Sequence, residues 1–285
     1  MTWGFRPFYL LFLACVAVLY AGCSTTIAGR SDKAAAAASS SNMQRVEFKT
    51  APFVLTGWQK ITQVGAPIHI YIEGDGLAWL ARSTPSPNPT PKNPIGLKLA
   101  GRDTGPNVIY LARPCQYTPF DTPGNEACSD SAYWRSKRFS QEVVDAYMTA
   151  LDEIARLHGS TEFYVTGYSG GANIVGLLAA RRTDITQLRT VAGNLDNDYF
   201  TTFHNVSAMP GSLNMANDAA RLAQIPQIHF IGSEDETIPV AIYNSYAAKV
   251  GASSCLHYKI LADTTHDEGW EAQWPGLLSA AVACQ

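Results

Sequence analysis

Ser169 stands in Gly167-Tyr168-Ser169-Gly170-Gly171, between the β-type run Phe163-Tyr164-Val165-Thr166 and the apolar stretch Ala172–Leu178. The pattern reads as strand, sharp turn and helix. Glycines two residues before and two after the serine leave room for strand and helix to approach. The serine then lies at a helix N-terminus, where unpaired backbone N–H groups favour negative charge. A serine hydroxyl is a weak nucleophile and needs a base, oriented in turn by a third group. Of six histidines, His69, His229 and His257 fall in or at strand patterns, His158 ends a helical one and His204 sits in an irregular insertion. His266, in Asp263-Thr264-Thr265-His266-Asp267-Glu268, follows the last strand pattern and is the candidate base. Among carboxylates, Asp235 follows the strand pattern Ile228-His229-Phe230-Ile231-Gly232, with Glu234 and Asp196 as competitors.

These groups need a frame. Short apolar runs occur around Phe53-Val54-Leu55, at Ile68–Ile72, Val108–Leu111, Phe163–Thr166, Thr190–Ala192, Ile228–Ile231 and His257–Leu261. Helix-length stretches alternate with them, which is the signature of a mostly parallel sheet with crossover helices. Ser140–His158 places Val143, Val144, Tyr147, Leu151 and Ile154 at helical spacing. Gly170–Arg182, Pro239–Val250 and Trp274–Ala283 are the other expected helices, with Pro239 and Pro275 in first turns. Ser83–Pro94 carries five prolines and reads as an irregular loop, and residues 200–221 as a small insertion. A single domain over residues 46–285 is the economical reading.

Glu234-Asp235-Glu236-Thr237-Ile238-Pro239, together with the serine turn and the His266 loop, resembles the α/β-hydrolases, whose chain order is serine, acid, histidine. The resemblance covers roughly residues 46–285. It implies a mostly parallel central sheet with helices on both faces, and a triad of Ser169, Asp235 and His266. It also implies an oxyanion hole from the Gly170 N–H and one N–H of Glu73-Gly74-Asp75-Gly76, with Asp75 favoured and Gly74 or Gly76 as alternatives. Many relatives have His-Gly-x there, so Glu73 is a departure that brings carboxylates near a developing oxyanion. Ala112–Tyr117 and Val191–Asp196 add a likeness to uncharacterised exported bacterial members. The implied activity is serine hydrolysis of carboxylic esters, of small molecules or lipids. A peptidase or amidase on the same triad and a non-catalytic surface binding protein are the alternatives. Trp79, Tyr168, Tyr199, Phe200 and Phe203 are candidates for an apolar acyl pocket.

The N-terminus adds a location. Arg6 precedes the uncharged apolar run Phe8–Ala21, too short to cross a bilayer as a helix. Leu19-Tyr20-Ala21-Gly22-Cys23 resembles a bacterial lipobox, with Tyr20 where Leu is usual. Residues 1–22 are accordingly expected as a lipoprotein-type signal peptide, Cys23 as the lipidated residue (palmitate included), and residues 23–45 as a flexible tether. The expected location is the bacterial cell envelope, facing the periplasm or exterior, lipid-anchored to the membrane. Cys115, Cys128, Cys255 and Cys284 remain, and sequence proximity favours the disulfides Cys115–Cys128 and Cys255–Cys284. A net charge of −3 gives no basic footprint for nucleic acid, and a mean hydropathy of −0.06 argues against a polytopic membrane protein. No metal constellation, phosphate loop or dinucleotide fingerprint is visible, so no cofactor is expected.

Overall fold

The computed structural model of the 285-residue chain describes Met1 and residues 26–284. The stretch expected as a signal peptide, apart from Met1, and Cys23, expected as the lipidated residue, lie outside the described residues.

Eight strands form one sheet in the order β1-β2-β6-β3-β7-β8-β9-β10. Their ranges are β1 Gln44–Thr50, β2 Phe53–Ile61, β3 Ile68–Ile72, β6 Asn107–Leu111, β7 Phe163–Tyr168, β8 Ile185–Val191, β9 Gln227–Gly232 and β10 Leu256–Leu261. β1, β2 and β6 pair antiparallel; every pairing from β6 through β3 to β10 is parallel. The central strands β3 and β6 are buried along their whole length, as expected where helices cover both faces. The mostly parallel sheet and its helices form an α/β-hydrolase fold in a single domain. One core face packs α3 (Gln141–His158) and α4 (Gly170–Ala179). The other packs α1 (Ile27–Ser40), α2 (Ile95–Arg102) and α8 (Trp270–Leu278).

Four departures from the sequence reading matter. Within the segment expected as a flexible tether, residues 27–40 form the helix α1, capped by the Thr26 side chain and followed by β1 from Gln44. Its alanines make it dockable: Ala34 and Ala38, one turn apart, are buried against the domain. Arg30 is buried too, donating to the carbonyls of Asn88 and Thr90. The proline-rich stretch is partly a hairpin, β4 (Trp79–Ala81) with β5 (Thr84–Pro85), followed by a loop with buried Ser86, Asn88 and Thr90. Directly after Pro94 comes α2, an eight-residue helix that the sequence reading did not place. Finally, α8 begins at Trp270, so Pro275 lies inside it. Trp270 and Trp274, one turn apart and both fully buried, anchor that helix against the sheet despite the missing N–H. Pro239 occupies the N-cap position of α7 (Val240–Val250).

Both favoured cysteine pairings are bonded in the structure, Cys115 to Cys128 and Cys255 to Cys284. The first braces the loop after β6, and the second ties the start of β10 to the C-terminal end.

Candidate active site

The C-terminal ends of β3, β7, β9 and β10 deliver the four segments that meet at Ser169. The serine has φ 49° and ψ −118°, a backbone conformation unfavourable for an L-residue and typical of strain held at functional turns. Its surroundings explain the glycines. A side chain at Gly167 would run into the backbone of Gly171 and Ala172, and one at Gly171 into the carbonyls of Ile72 and Glu73. The turn can therefore be this tight only with glycine at both positions.

His266 Nε2 lies 3.1 Å from Ser169 Oγ, and its Nδ1 lies 2.9 Å from Asp235 Oδ2. The other Asp235 oxygen, Oδ1, accepts from the N–H of Thr237 at 2.9 Å and of Ile238 at 2.7 Å. Asp235 is buried and its Oδ2 faces the imidazole; a carboxylate only accepts, so His266 Nδ1 donates to it and Nε2 is left as an acceptor facing the Ser169 hydroxyl. The competitors lie elsewhere. Glu234 is exposed, and Asp196 Oδ2 is taken by Ser245 at 2.7 Å and Lys249 at 2.8 Å.

The His266 loop is held from behind. Its carbonyl accepts from Tyr168 Oη at 3.1 Å and from Trp270 Nε1 at 2.9 Å, and Tyr168 Oη also reaches Asp267 Oδ1 at 2.7 Å. Burial, followed by the nearby Asp267 charge, raises the Tyr168 phenol well above its ordinary range, so it remains a donor. Tyr168 lines the cleft over Ser169 and also braces the histidine.

Glu73 is not turned toward the position expected for an oxyanion. Its side chain turns away from Ser169 into the N-terminus of α2. Oε1 accepts from Gly74 N–H at 3.0 Å and Gly96 N–H at 3.1 Å, and Oε2 from Tyr110 Oη at 3.0 Å and Leu97 N–H at 3.4 Å. Burial pushes its carboxyl up, while these donors pull the other way. With the Gly74 N–H committed to Glu73, that alternative for the oxyanion hole drops out. Among the described residues no protein acceptor takes the N–H of Asp75, Gly76 or Gly170. The Asp75 carboxylate is compensated on the spot, with Arg113 Nη1 at 2.9 Å and Arg138 Nη1 at 3.1 Å. Two guanidinium charges thus face one carboxylate beside the serine turn. Gln116 Nε2 donates to the Gly74 carbonyl at 3.1 Å and the Leu77 N–H to the Pro89 carbonyl at 3.0 Å, fixing both ends of the loop.

A cleft of about 630 Å³ opens over Ser169, walled by Leu77, Trp79, Pro91, Arg138, Phe200 and Ile238 among others. Trp79, Tyr168 and Phe200 line it as anticipated, whereas Phe203 lines the adjoining cavity on the far side of His266. Tyr199 lines neither and is exposed. Asn194, whose N–H donates to the Ser169 carbonyl at 3.0 Å, also faces the cleft. Arg113, Arg138, Gln116, Asn194 and Trp270 were not anticipated as site residues. The stretch Ala112–Tyr117 had stood out as a pattern, but nothing in it announces a partner some forty residues earlier. Among the described residues, no group of three His, Cys, Asp or Glu is placed to hold a metal ion.

No family model matches the chain, and no curated protein matches it in sequence. Solved structures do match in fold. The acylaminoacyl peptidase of Pyrococcus horikoshii superposes with a TM-score of 0.58 at 13% identity, over 81% of this chain and 38% of that one. The present chain therefore spans well under half of that enzyme. Est1E from Butyrivibrio proteoclasticus gives a TM-score of 0.54 at 13% identity, covering 83% of this chain and 95% of its own. An esterase of Pyrococcus furiosus gives 0.53 at 13% identity, with 83% and 89% coverage. At these identities the likeness is one of fold, the α/β-hydrolase fold.

Proposed function

We propose that the chain is a serine hydrolase that cleaves carboxylic esters through an acyl-enzyme, with Ser169 as nucleophile, His266 as general base and Asp235 as orienting acid. The observation that carries this reading is the imidazole held between Ser169 Oγ and Asp235, at 3.1 and 2.9 Å.

The steps follow from that geometry. His266 Nε2 takes the hydroxyl proton as Oγ attacks the ester carbonyl, and Asp235 stabilises the imidazolium that forms. Negative charge develops on the former carbonyl oxygen. The N–H groups of Gly170 and Asp75, both without a protein acceptor, receive it. Arg113 and Arg138 together offset the Asp75 and Glu73 carboxylates of this loop, so the developing charge meets no uncompensated anion there. The imidazolium then protonates the departing alcohol, and a water deprotonated by His266 releases the acid and restores Ser169. The hydrolases among the fold's solved neighbours support the reaction class, and the apolar cleft wall suits an acyl chain.

The N-terminal features extend the reading to location. We infer an exported protein, lipidated at Cys23 and held at a membrane, with the oxidising compartment that its two disulfides require.

A fluorophosphonate probe is expected to label the wild-type chain and to leave Ser169→Ala unlabelled. Turnover of p-nitrophenyl esters without turnover of aminoacyl anilides is the expected substrate profile. Equal labelling of both proteins would move the nucleophile elsewhere, and an anilide-only profile would make the chain a peptidase.

A further inference from the structure

The exposed apolar side chains of the domain are unevenly distributed. Among the described residues twelve large ones are exposed, and seven of them belong to the edge of the sheet where Ser169 lies. Trp79 and Leu80 are in the hairpin that follows β3; Tyr199, Phe203 and Val206 follow β8; Val240 follows β9. The segments are joined to one another. Arg82 Nη2 donates to the Asn205 carbonyl at 3.3 Å, and His204 Nε2 lies 2.8 Å from the Thr237 carbonyl. Trp79 and Phe200 reach into the cleft from this rim, so its apolar surface is continuous with the substrate cavity.

The chain enters the fold at the same edge. β1 runs antiparallel to β2 and β2 antiparallel to β6, so β1 points with β6 toward the catalytic edge. The helix α1 leads into the start of β1 and must therefore begin at the catalytic edge. The contacts of Arg30 in its first turn agree, because Asn88 and Thr90 adjoin Pro91 and Asn93 of the cleft wall. Ile27, the first residue of α1, is exposed there and is the seventh apolar side chain of the edge. Cys23 precedes the Thr26 cap by three residues, a covalent reach of roughly 11 Å at most. With α1 docked, the long tether that would let the domain turn freely is gone.

We propose that the catalytic edge is a lipid-facing surface. The hairpin around Trp79 and Leu80 and the segment from Tyr199 to Val206 insert into the outer layer of a bilayer, and the cleft opens onto it. A substrate ester then reaches Ser169 from the lipid phase rather than from water. The proposal rests on the reading of Cys23 as the anchor. The occupant is further defined by charge. Glu234, Glu236, Asp267 and Glu268 are exposed on the other rim of the site and outnumber the exposed cations Arg82 and Lys92 on the apolar rim, so the face carries no net attraction for anionic headgroups. The contact is accordingly apolar insertion into a zwitterionic surface, which salt does not screen.

The test uses the full, lipidated chain in phosphatidylcholine vesicles, with an NBD fluorophore attached at Leu80→Cys or Val206→Cys. Val64→Cys and Leu157→Cys, exposed sites before β3 and at the end of α3, report the opposite edge. Doxyl lipids are expected to quench the first pair at least threefold more than the second, in 0.1 M and 1 M salt alike (roughly tenfold apart in ionic strength). Equal quenching at both edges, quenching only at the opposite edge, or loss of the difference in high salt overturns the proposal. Absence of quenching everywhere does so as well, and indicates a face for a protein partner. Failure of the full chain to sediment with vesicles removes the anchor and the proposal together. Turnover of p-nitrophenyl acetate by the same labelled proteins keeps the hydrolase reading separate: turnover without differential quenching sinks the orientation alone.

Discussion

The carboxylate of Asp75 occupies the space that a side chain on Gly170 would need. One residue thus offers a backbone N–H beside the serine and fills the volume over the first residue of α4, while Arg113 and Arg138 fix its carboxylate. Gly170→Ala must push Asp75 out of this position and so displace one proposed oxyanion donor. A loss in kcat on the order of 100-fold is expected, the size typical of removing one such donor. Circular dichroism should show an unchanged fold. A variant with near wild-type kcat would place the second donor outside the Asp75 loop.

Asp75→Ala tests a different property of the same cluster. Arg113 has a side chain only 5% exposed, and losing its carboxylate leaves a buried charge uncompensated. Breaking a buried pair from one side costs about 3–5 kcal/mol. The Arg113 guanidinium then keeps only a neutral acceptor in this cluster, the Arg138 carbonyl. Urea unfolding should therefore show a loss near 3 kcal/mol, and a change below about 1 kcal/mol would mean that the guanidinium finds water.

Arg30 contacts no part of the triad, yet it holds the carbonyls of Asn88 and Thr90. Between them Pro89 accepts from the Leu77 N–H, and Gly76 packs against Pro89 so closely that no side chain would fit. The path from α1 to the loop proposed to hold the oxyanion is therefore two contacts long. Arg30→Met is expected to lower kcat about tenfold with little change in KM, since small misplacements of donors are expensive in rate. Arg30→Lys should restore part of that loss by reaching one carbonyl. Equal kcat for Met and wild type would reduce α1 to a packing element.

Much of this site was legible in the sequence because its spacing is a consequence of backbone sterics. Gly167 and Gly171 are required by the turn itself, so the pattern around Ser169 survives in one dimension. Asp235 and His266 could be placed because each follows a strand whose apolar run is unmistakable. The docking of α1 was not legible. An alanine- and serine-rich stretch reads as a tether, and only the contacts of Ala34, Ala38 and Arg30 across sixty residues show otherwise. Glu73 was misleading for a related reason. A carboxylate beside an oxyanion site looks adverse until α2, a short helix passed over behind the proline-rich stretch, supplies the N–H groups that turn it away.

Glu73→Ala should then do more than remove a charge. The N–H groups of Gly74, Gly96 and Leu97 and the hydroxyl of Tyr110 lose their acceptor inside the protein. An unsatisfied buried donor costs about 1–3 kcal/mol, so a stability loss of several kcal/mol is expected unless water enters. Freed Gly74 N–H would also compete for the oxyanion, and kcat should change along with stability. Glu73→Gln keeps one carbonyl acceptor and should lie between the two in thermal melts. An alanine variant as stable as wild type would show that the site is already wet.

His229 offers a pH test independent of catalysis. It is buried in β9, with Nδ1 2.7 Å from Thr190 Oγ1 and Nε2 3.0 Å from Gln227 Oε1. Burial lowers its pKa to about 3. An unfolded histidine titrates near pH 6.5, so below that the unfolded chain binds a proton that the folded one refuses. The sign is therefore fixed: the contribution of His229 is fully present above about pH 6.5 and is lost as pH falls toward 3. Each unit in this window costs up to about 1.4 kcal/mol. Urea midpoints measured between pH 7 and pH 4.5 should decline for the wild type. His229→Gln, which can still bond Thr190, should decline less steeply, whatever its stability at pH 7. Parallel curves for the two proteins would show that other groups carry the acid sensitivity and that His229 is protonated without leaving the fold.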